Sequence, residues 1–454
     1  MTASPQTNAQ QAIATLWRER ILKREFEIVL GKMLQSDQDR EGETQEAYLR
    51  SANVQWEGVD LSDVKTMWFS FAEKRDLLLR EGDLVVNEGG DVGRCAVWPG
   101  HPEPVYFQNA VNRVRARASG STRFLYYWLY NLKHAGFIDA VVSRITIAHL
   151  TAEKLARLPW PNVPSSEQRC IAAYLDASCA AIDAAMGVKR RQLDTLDALR
   201  KTIIYHAVTH GLNPKVEMTS SGSDWVSEVP AHWQVQQIKR RCSLVRGQFT
   251  HRPRNDPAFY NGPYPFVQTG DITAAGKYIR TYSQTLNELG LSVSKTFPRG
   301  TLVMSIAANI GDVAILDFEA CFPDSMIGMI PGRNTCLDYL FYLMRAMKAV
   351  MLRSAVLSTQ LNLNYVRIGT NFAAFPPKRE QEAIAEYLDA KEQEVLSIRA
   401  GIETQIATLT AYRKSLIHEC VTGQRRVTPM DLRAVLDRPA RLTAASGQRE
   451  EIHA

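Results

Sequence analysis

The sequence predicts an α+β protein built twice over, with a globular α/β part and a long helix followed by a second globular α/β part and a second long helix. Three observations predict it. Residues 167–177 (EQRCIAAYLDA) return 213 positions later as 380–390 (EQEAIAEYLDA), with eight of eleven positions identical. Apolar residues after both copies recur in steps of four and three, the spacing of a helix that packs against another helix. The material before each copy shares a weaker pattern of strand, polar turn, strand and glycine. An internal repeat at a fixed offset fixes the architecture before any single element is assigned.

The helical repeat extends over about 43 residues without a gap: Gln192 meets Gln405, Leu196 meets Leu409, Arg200-Lys201 meets Arg413-Lys414, and Val208-Thr209 meets Val421-Thr422. The first seam runs through Ile171, Leu175, Ser178, Ile182, Ala185, Lys189, Leu193, Leu196, Leu199 and Ile203. The second runs through Ile384, Leu388, Lys391, Val395, Ile398, Ile402, Ile406, Leu409, Tyr412 and Leu416. Two steps of four fall in succession at the same place in both, a shared stutter. The pairing residues are therefore Ile171, Leu175, Ile182, Leu193, Leu196 and Ile203 against Ile384, Leu388, Val395, Ile402, Ile406, Leu409 and Leu416. Ser165 with Gln168 fits a capping box, and Pro164 and Pro376-Pro377 mark the helix starts. At 1.5 Å per residue each helix spans roughly 65 Å.

In the globular parts, YLRSANV (48–54) matches FVQTGDI (266–272), Gly82 matches Gly300, Gly93 matches Gly311, and FLYY (124–127) matches YLFY (339–342). The predicted organisation is a first globular part with an N-terminal helix over 1–165 and a long helix over 166–211. A Gly/Ser/Pro linker over 212–224 follows, then a second globular part over 225–376, a second long helix over 377–423 and a flexible tail over 424–454.

Composition is that of an ordinary globular protein, 45% hydrophobic over 454 residues. No run approaches the roughly 18 apolar residues of a membrane span, and the N-terminus lacks a secretory pattern, so a cytoplasmic chain is expected. Seven cysteines lie scattered with no Cys-x-x-Cys pair, and Cys170, Cys179 and Cys420 read as small apolar helix residues. Net charge of +6 mildly favours an acidic partner. There is no phosphate-binding loop, no dinucleotide fingerprint, no Asn/Asp-Pro-Pro-aromatic motif and no nucleophile elbow. His206 and His210 are spaced for a metal, but their repeat counterparts are Glu419 and Gly423. The residues read as a binder, with no metal site and no catalytic residues.

This pattern resembles a known family. Residues 164–176 with AVTHG at 207–211, and 377–389 with CVTG at 420–423, are similar to the two helix signatures of the specificity subunit of Type I restriction–modification systems. Residues 230–235 (PAHWQV) resemble that family's start of a target recognition domain. The first half departs from it: Phe26-Glu27-Ile28 is the nearest match, after an extra helical stretch over 9–24. The resemblance implies two target recognition domains, each reading one half of a split double-stranded DNA sequence, and an antiparallel coiled coil that sets their spacing. It implies a non-catalytic chain that binds no cofactor. Its partners would be two methylation subunits, which use S-adenosylmethionine on adenine, and restriction subunits. A coiled-coil scaffold without sequence-specific DNA binding is the alternative.

DNA reading needs donors and acceptors on loops and strand ends. In the first domain these are Arg50, Asn53, Asn87, Arg94, Gln108, Asn109, Asn112 and Arg144. In the second they are His251, Arg252, Arg254, Gln268, Asn309, Gln360, Asn362 and Asn364. Tyr126-Tyr127-Trp128 and Phe341-Tyr342 read as core.

Overall fold

The structure is a computed structural model and describes residues 16–117, 120–142, 149–223, 225–307, 309–354 and 365–437. It divides into two compact units, Met1–Lys189 with Thr404–Ala454, and Arg190–Glu403. The long helices, Ser165–His210 and Lys378–Thr422, each contribute one part to each unit.

In the first unit the strands Phe26–Leu30, Val111–Ala116, Leu84–Asn87 and Cys95–Val97 form an antiparallel sheet in that order. A second sheet holds Thr44–Leu49 between Lys65–Phe69, antiparallel, and Val105–Phe107, parallel. The second unit repeats both. Cys242–Arg246, Met326–Pro331, Leu302–Ser305 and Val313–Leu316 take the same order, extended by Tyr278–Ile279. Tyr260–Phe266 lies between Gln284–Leu286, antiparallel, and Ala320–Cys321, parallel.

Each main sheet carries one apolar helix, Thr122–His134 or Leu337–Ala346, whose aromatic residues are buried. Tyr127, Trp128, Phe341 and Tyr342 are each 1% exposed. Core and long helices are continuous. Ile171, Leu175, Leu416 and Ile417 belong to the first unit's main cluster, and Ile204, Ile384 and Leu388 to the second's.

The helices run antiparallel in both units. In the first, Asp183 pairs with Arg413 at 3.4 Å, and the Thr410 hydroxyl lies 3.5 Å from the Met186 sulfur. In the second, Asp197 pairs with Arg399, and Arg200 with Glu392 at 2.8 Å. Of the pairing residues, Ile171, Leu175, Ile182, Ile384, Leu388, Val395 and Leu416 are buried, while Leu193, Leu196, Ile203, Ile402, Ile406 and Leu409 are half-buried. The seam departs from the sequence reading at the stutter. Ala185, Leu199, Ile398 and Tyr412 face solvent, and Met186 takes the buried place expected of Ala185. Against the expectation that no run approaches a membrane span, the first long helix is long and apolar enough to cross a membrane by length and composition; 44% of that window is buried, and the helix seats Ile171, Tyr174, Leu175, Cys179 and Met186 in the core.

Five further expectations are corrected. The helix expected over 9–24 is not present over 16–24, where Glu19–Ile21 is a strand paired with Pro159–Pro161 and Leu22–Arg24 is a 3-10 turn; residues 9–15 lie outside the described residues. The first domain's start is marked by Trp17, not Phe26, since Trp17 packs on Gly423 as Trp233 packs on Gly211. Both glycines close a long helix at positive φ, +82° and +77°, where a left-handed cap favours glycine. A Cβ at Gly423 would lie 2.9 Å from the Trp17 ring. The linker contains a hairpin strand, Met218–Ser223, paired with Val226–Pro230. The described part of the tail contains the helix Pro429–Leu436, capped by Thr428, with Leu432 and Val435 against the first core. Cys179 and Cys420 are buried, but Cys170 is only half-buried.

Leu175 and Leu388 are fully buried, so Leu175→Ala and Leu388→Ala should each cost about 2–5 kcal/mol. Leu199→Ala and Ile398→Ala should stay within about 0.5 kcal/mol. Urea unfolding of the four variants checks this, and equal losses in both pairs would contradict the observed seam.

Candidate nucleic-acid interface and its attachment to the helices

In the first domain three turns meet at one end of the sheets. The Ser51 carbonyl accepts from the Asn87 side chain at 3.0 Å and from Arg94 at 3.4 Å. Arg50 donates to Asp63 at 2.7 Å. Asn53 is 3% exposed: its Oδ1 accepts from the Arg50 backbone, and its Nδ2 donates to the carbonyls of Asp60 and Asp63. Asn112 donates to Glu88 and to the Leu150 carbonyl. Burial pushes the Glu88 carboxyl above its ordinary range.

Asn53, Asn87 and Asn112 are therefore corrected as base readers, because their amides hold turns together inside the domain. Arg50 and Arg94 remain partly accessible on these turns, and Gln108 and Asn109 on the turn between Val105–Phe107 and Val111–Ala116. Arg144 lies outside the described residues.

In the second domain, the loop after Cys242–Arg246 presents two arginines. Arg252 and Arg254 both reach the Asp324 carboxylate and remain about half exposed, 52% and 45%. Arg252 also donates to the carbonyls of Phe249 and His251. One carboxylate shared by two guanidiniums leaves net positive charge while restricting the rotamers of both, which suits phosphate or guanine. His251 stacks on Phe259 at 4.0 Å and lies 3.1 Å from Asp256. Gln268 caps the helix Thr269–Ala274 and donates to Gln284. Asn309 is exposed and donates to Thr273 of that helix. Gln360, Asn362 and Asn364 lie outside the described residues.

The repeated motif holds each domain to its helix. Gln168 and Gln381 are 2% and 0% exposed. Gln168 accepts from the Ser121 backbone at 2.9 Å and donates to the Val163 carbonyl at 2.8 Å. Gln381 accepts from the Cys336 backbone at 2.8 Å and donates to the Pro376 carbonyl at 2.8 Å. Ser121 and Cys336 are the N-caps of the two apolar domain helices. The Gln168 carboxamide thus ties the domain helix to the long helix. Glutamate could not replace it, because ionised carboxylate accepts only.

Two turns on, Asp176 accepts from the Tyr127 hydroxyl and Asp389 from the Tyr342 hydroxyl, each at 2.6 Å. Burial pushes both phenols well above their usual range, so they remain donors. A cation joins each carboxylate, Arg123 at 2.6 Å or Lys277 at 2.6 Å. Glu380 accepts from Trp233 at 3.1 Å and contacts His232 at 2.8 Å, which explains the PAHW segment. Sequence reading missed these roles. The available signal was identity of a buried-type Gln and Asp in both copies of a helix whose seam calls only for apolar residues. His206 and His210 stack at 4.7 Å, and no group of three or more metal-ligating side chains occurs among the described residues.

Comparison with known proteins adds a family. The Type I restriction modification DNA specificity domain matches residues 17–189 and 233–408. The chain is similar to a putative type I restriction enzyme MjaX specificity subunit of Methanocaldococcus jannaschii, 23% identical over 361 residues, covering 76% of this chain and 79% of that one. Its fold is similar to a chain solved in work on complex assembly and conformational transition of the type I R-M system, with a TM-score of 0.68 and 15% identity over 89% of this chain and 97% of that one. The HsdS subunit from Thermoanaerobacter tengcongensis gives a TM-score of 0.51 and 16% identity over 90% and 97%.

Gln381→Leu removes the partner of two buried backbone groups and should cost roughly 1–3 kcal/mol. Tyr342→Phe loses one hydrogen bond to a half-exposed carboxylate and should cost about 1 kcal/mol. Hydrogen exchange of the amides in Leu337–Ala346 reads both, and unchanged protection in Gln381→Leu would show that the glutamine does not anchor this helix.

Proposed function

The chain belongs to the Type I restriction–modification DNA specificity family, and from that premise we propose that it reads a bipartite, asymmetric double-stranded DNA site for a methylation and restriction complex. It is a non-catalytic component of such a system. The observation that carries the DNA reading is the contrast within the repeat. Both domains share sheet order and the Gln and Tyr–Asp attachments, while their loops present different polar groups. Like scaffolds with unlike loops fit two unlike half-sites. Arg252 and Arg254 supply backbone or guanine contacts in the second half.

Docking of two methylation subunits, which would bring S-adenosylmethionine, and of restriction subunits is part of the same proposal. Support comes from large apolar side chains left exposed on the long helices, among them Leu199 at 52%, Leu396 at 48% and Tyr412 at 50%. A partner that covers them gains the apolar area that it removes from water.

Co-expression with the methylation subunit of the same system, followed by mapping of methylated adenines, should give one split motif. Exchanging residues 225–376 for those of another member should change one half only. An unsplit motif, or none, overturns the reading. Arg254→Ala should lower DNA affinity and reduce the slope of log affinity against log salt by about 1. An unchanged slope would remove Arg254 from the interface.

A further inference from the structure

The two units differ sharply at one place between the domain and its long helices. In the first unit Trp56 packs there, with its ring 5.1 Å from Tyr130, 5.6 Å from His134 and 6.1 Å from Tyr126. Its carbonyl accepts from the Tyr126 hydroxyl at 2.7 Å, and Arg413 of the second long helix lies over the Tyr130 ring. In the second unit the same place is a cavity of about 1040 Å³.

The repeat register explains the difference. Aligning 48–54 with 266–272 sets Trp56 against Ala274. Aligning 124–127 with 339–342 sets His134 against Ala349 and Tyr130 against Arg345. Of the four rings, Tyr126 keeps a ring as Phe341, Tyr130 becomes an arginine drawn to Glu392 at 3.3 Å, and His134 becomes Ala349, which with Arg345 lines the cavity; Ala274 is exposed and stands between the lining residues Thr273 and Ala275. Gly276 at the cavity edge has nothing within 4 Å of its Cβ position.

We propose that this cavity receives an aromatic side chain of a partner protein, carried on a segment with one or two carboxylates beside the ring. The floor is apolar, with Ile204, Ala346, Ala349 and Leu352. The wall is basic, but its cations are largely satisfied: Arg200 and Arg345 hold Glu392, Arg399 holds Asp197 and Glu403, and Lys348 holds Asp312. Lys201 makes no ion pair among the described residues. A wall with so small a surplus of charge suits one or two carboxylates, whereas a phosphate backbone calls for several uncommitted cations. The ring is specified by the first unit, where a tryptophan of the chain itself fills the equivalent space. Residues 355–364, which follow the cavity edge in sequence, contain neither a ring nor a carboxylate. The proposal adds to the DNA-reading assignment and does not depend on it.

The test uses the full chain and two dye-labelled peptides, one with tryptophan between aspartate and glutamate and one with alanine in its place, read by fluorescence polarisation. The tryptophan peptide should bind at least tenfold more tightly. Lys201→Glu should weaken it about tenfold, and Ala349→Trp, which fills the cavity from its own floor, should abolish it. Circular dichroism establishes that each variant is folded. Equal binding of the two peptides, no binding of either, or undiminished binding to both folded variants overturns the proposal. So does displacement of the peptide by a double-stranded oligonucleotide lacking the target site, which would make the cavity a nucleic-acid path.

Discussion

Two buried glutamines hold each domain to the helix that carries it. Gln168 and Gln381 each sit where a sheet strand ends, a long helix starts and the N-cap of the domain's apolar helix arrives. Three chain segments therefore meet at one side chain able to donate and accept at once. A buried backbone group without a partner costs a substantial part of a domain's net stability, so the geometry of attachment is fixed closely. The Tyr–Asp bonds two turns later prevent the domain helix from pivoting about that point. Loops that read DNA can then vary, because their orientation depends on this joint and not on their own sequence.

The ends of the long helices repeat the economy. Trp17 on Gly423 and Trp233 on Gly211 place the incoming chain of one segment on the outgoing helix of another. In the first unit the Leu16 amide donates to the Thr422 carbonyl at 3.1 Å, so a segment near the N-terminus and the end of the second long helix share a core. Whereas the second unit is one continuous stretch, the first is thus assembled from segments distant in sequence. Its stability depends on long-range packing more than on the helical propensity of either strut.

Against this common frame the differences become informative. Trp56 closes a space in one unit that stays open beside Ala349 in the other, and two arginines share Asp324 in the second domain where Arg50 and Lys65 share Asp63 in the first. Duplicated joints with unlike surfaces are the physical form of a protein that presents two different faces from one scaffold.

Much of this was legible in the chain itself. The identity of 167–177 with 380–390 determined the duplication, the two struts and the buried places of Ile171, Leu175, Ile384 and Leu388, because a helix must repeat its apolar side every three or four residues whatever surrounds it. Tertiary structure decided what pattern cannot encode. It turned Asn53, Asn87 and Asn112 inward, since a short amide serves a turn or a base equally well until its neighbours are known. It moved the seam from Ala185 to Met186 at the stutter and exposed Leu199, Ile398 and Tyr412, because a change of phase can be resolved in more than one way. It gave Gln168 a backbone amide 47 residues away in sequence as well as the Val163 carbonyl just before its own helix. It also placed the first domain's start at Trp17, which sequence could not pair with a glycine some four hundred residues on. Periodicity is a local property and can be read from the chain, whereas a hydrogen-bond partner or a ring contact is set by long-range proximity and exists only once the chain has folded.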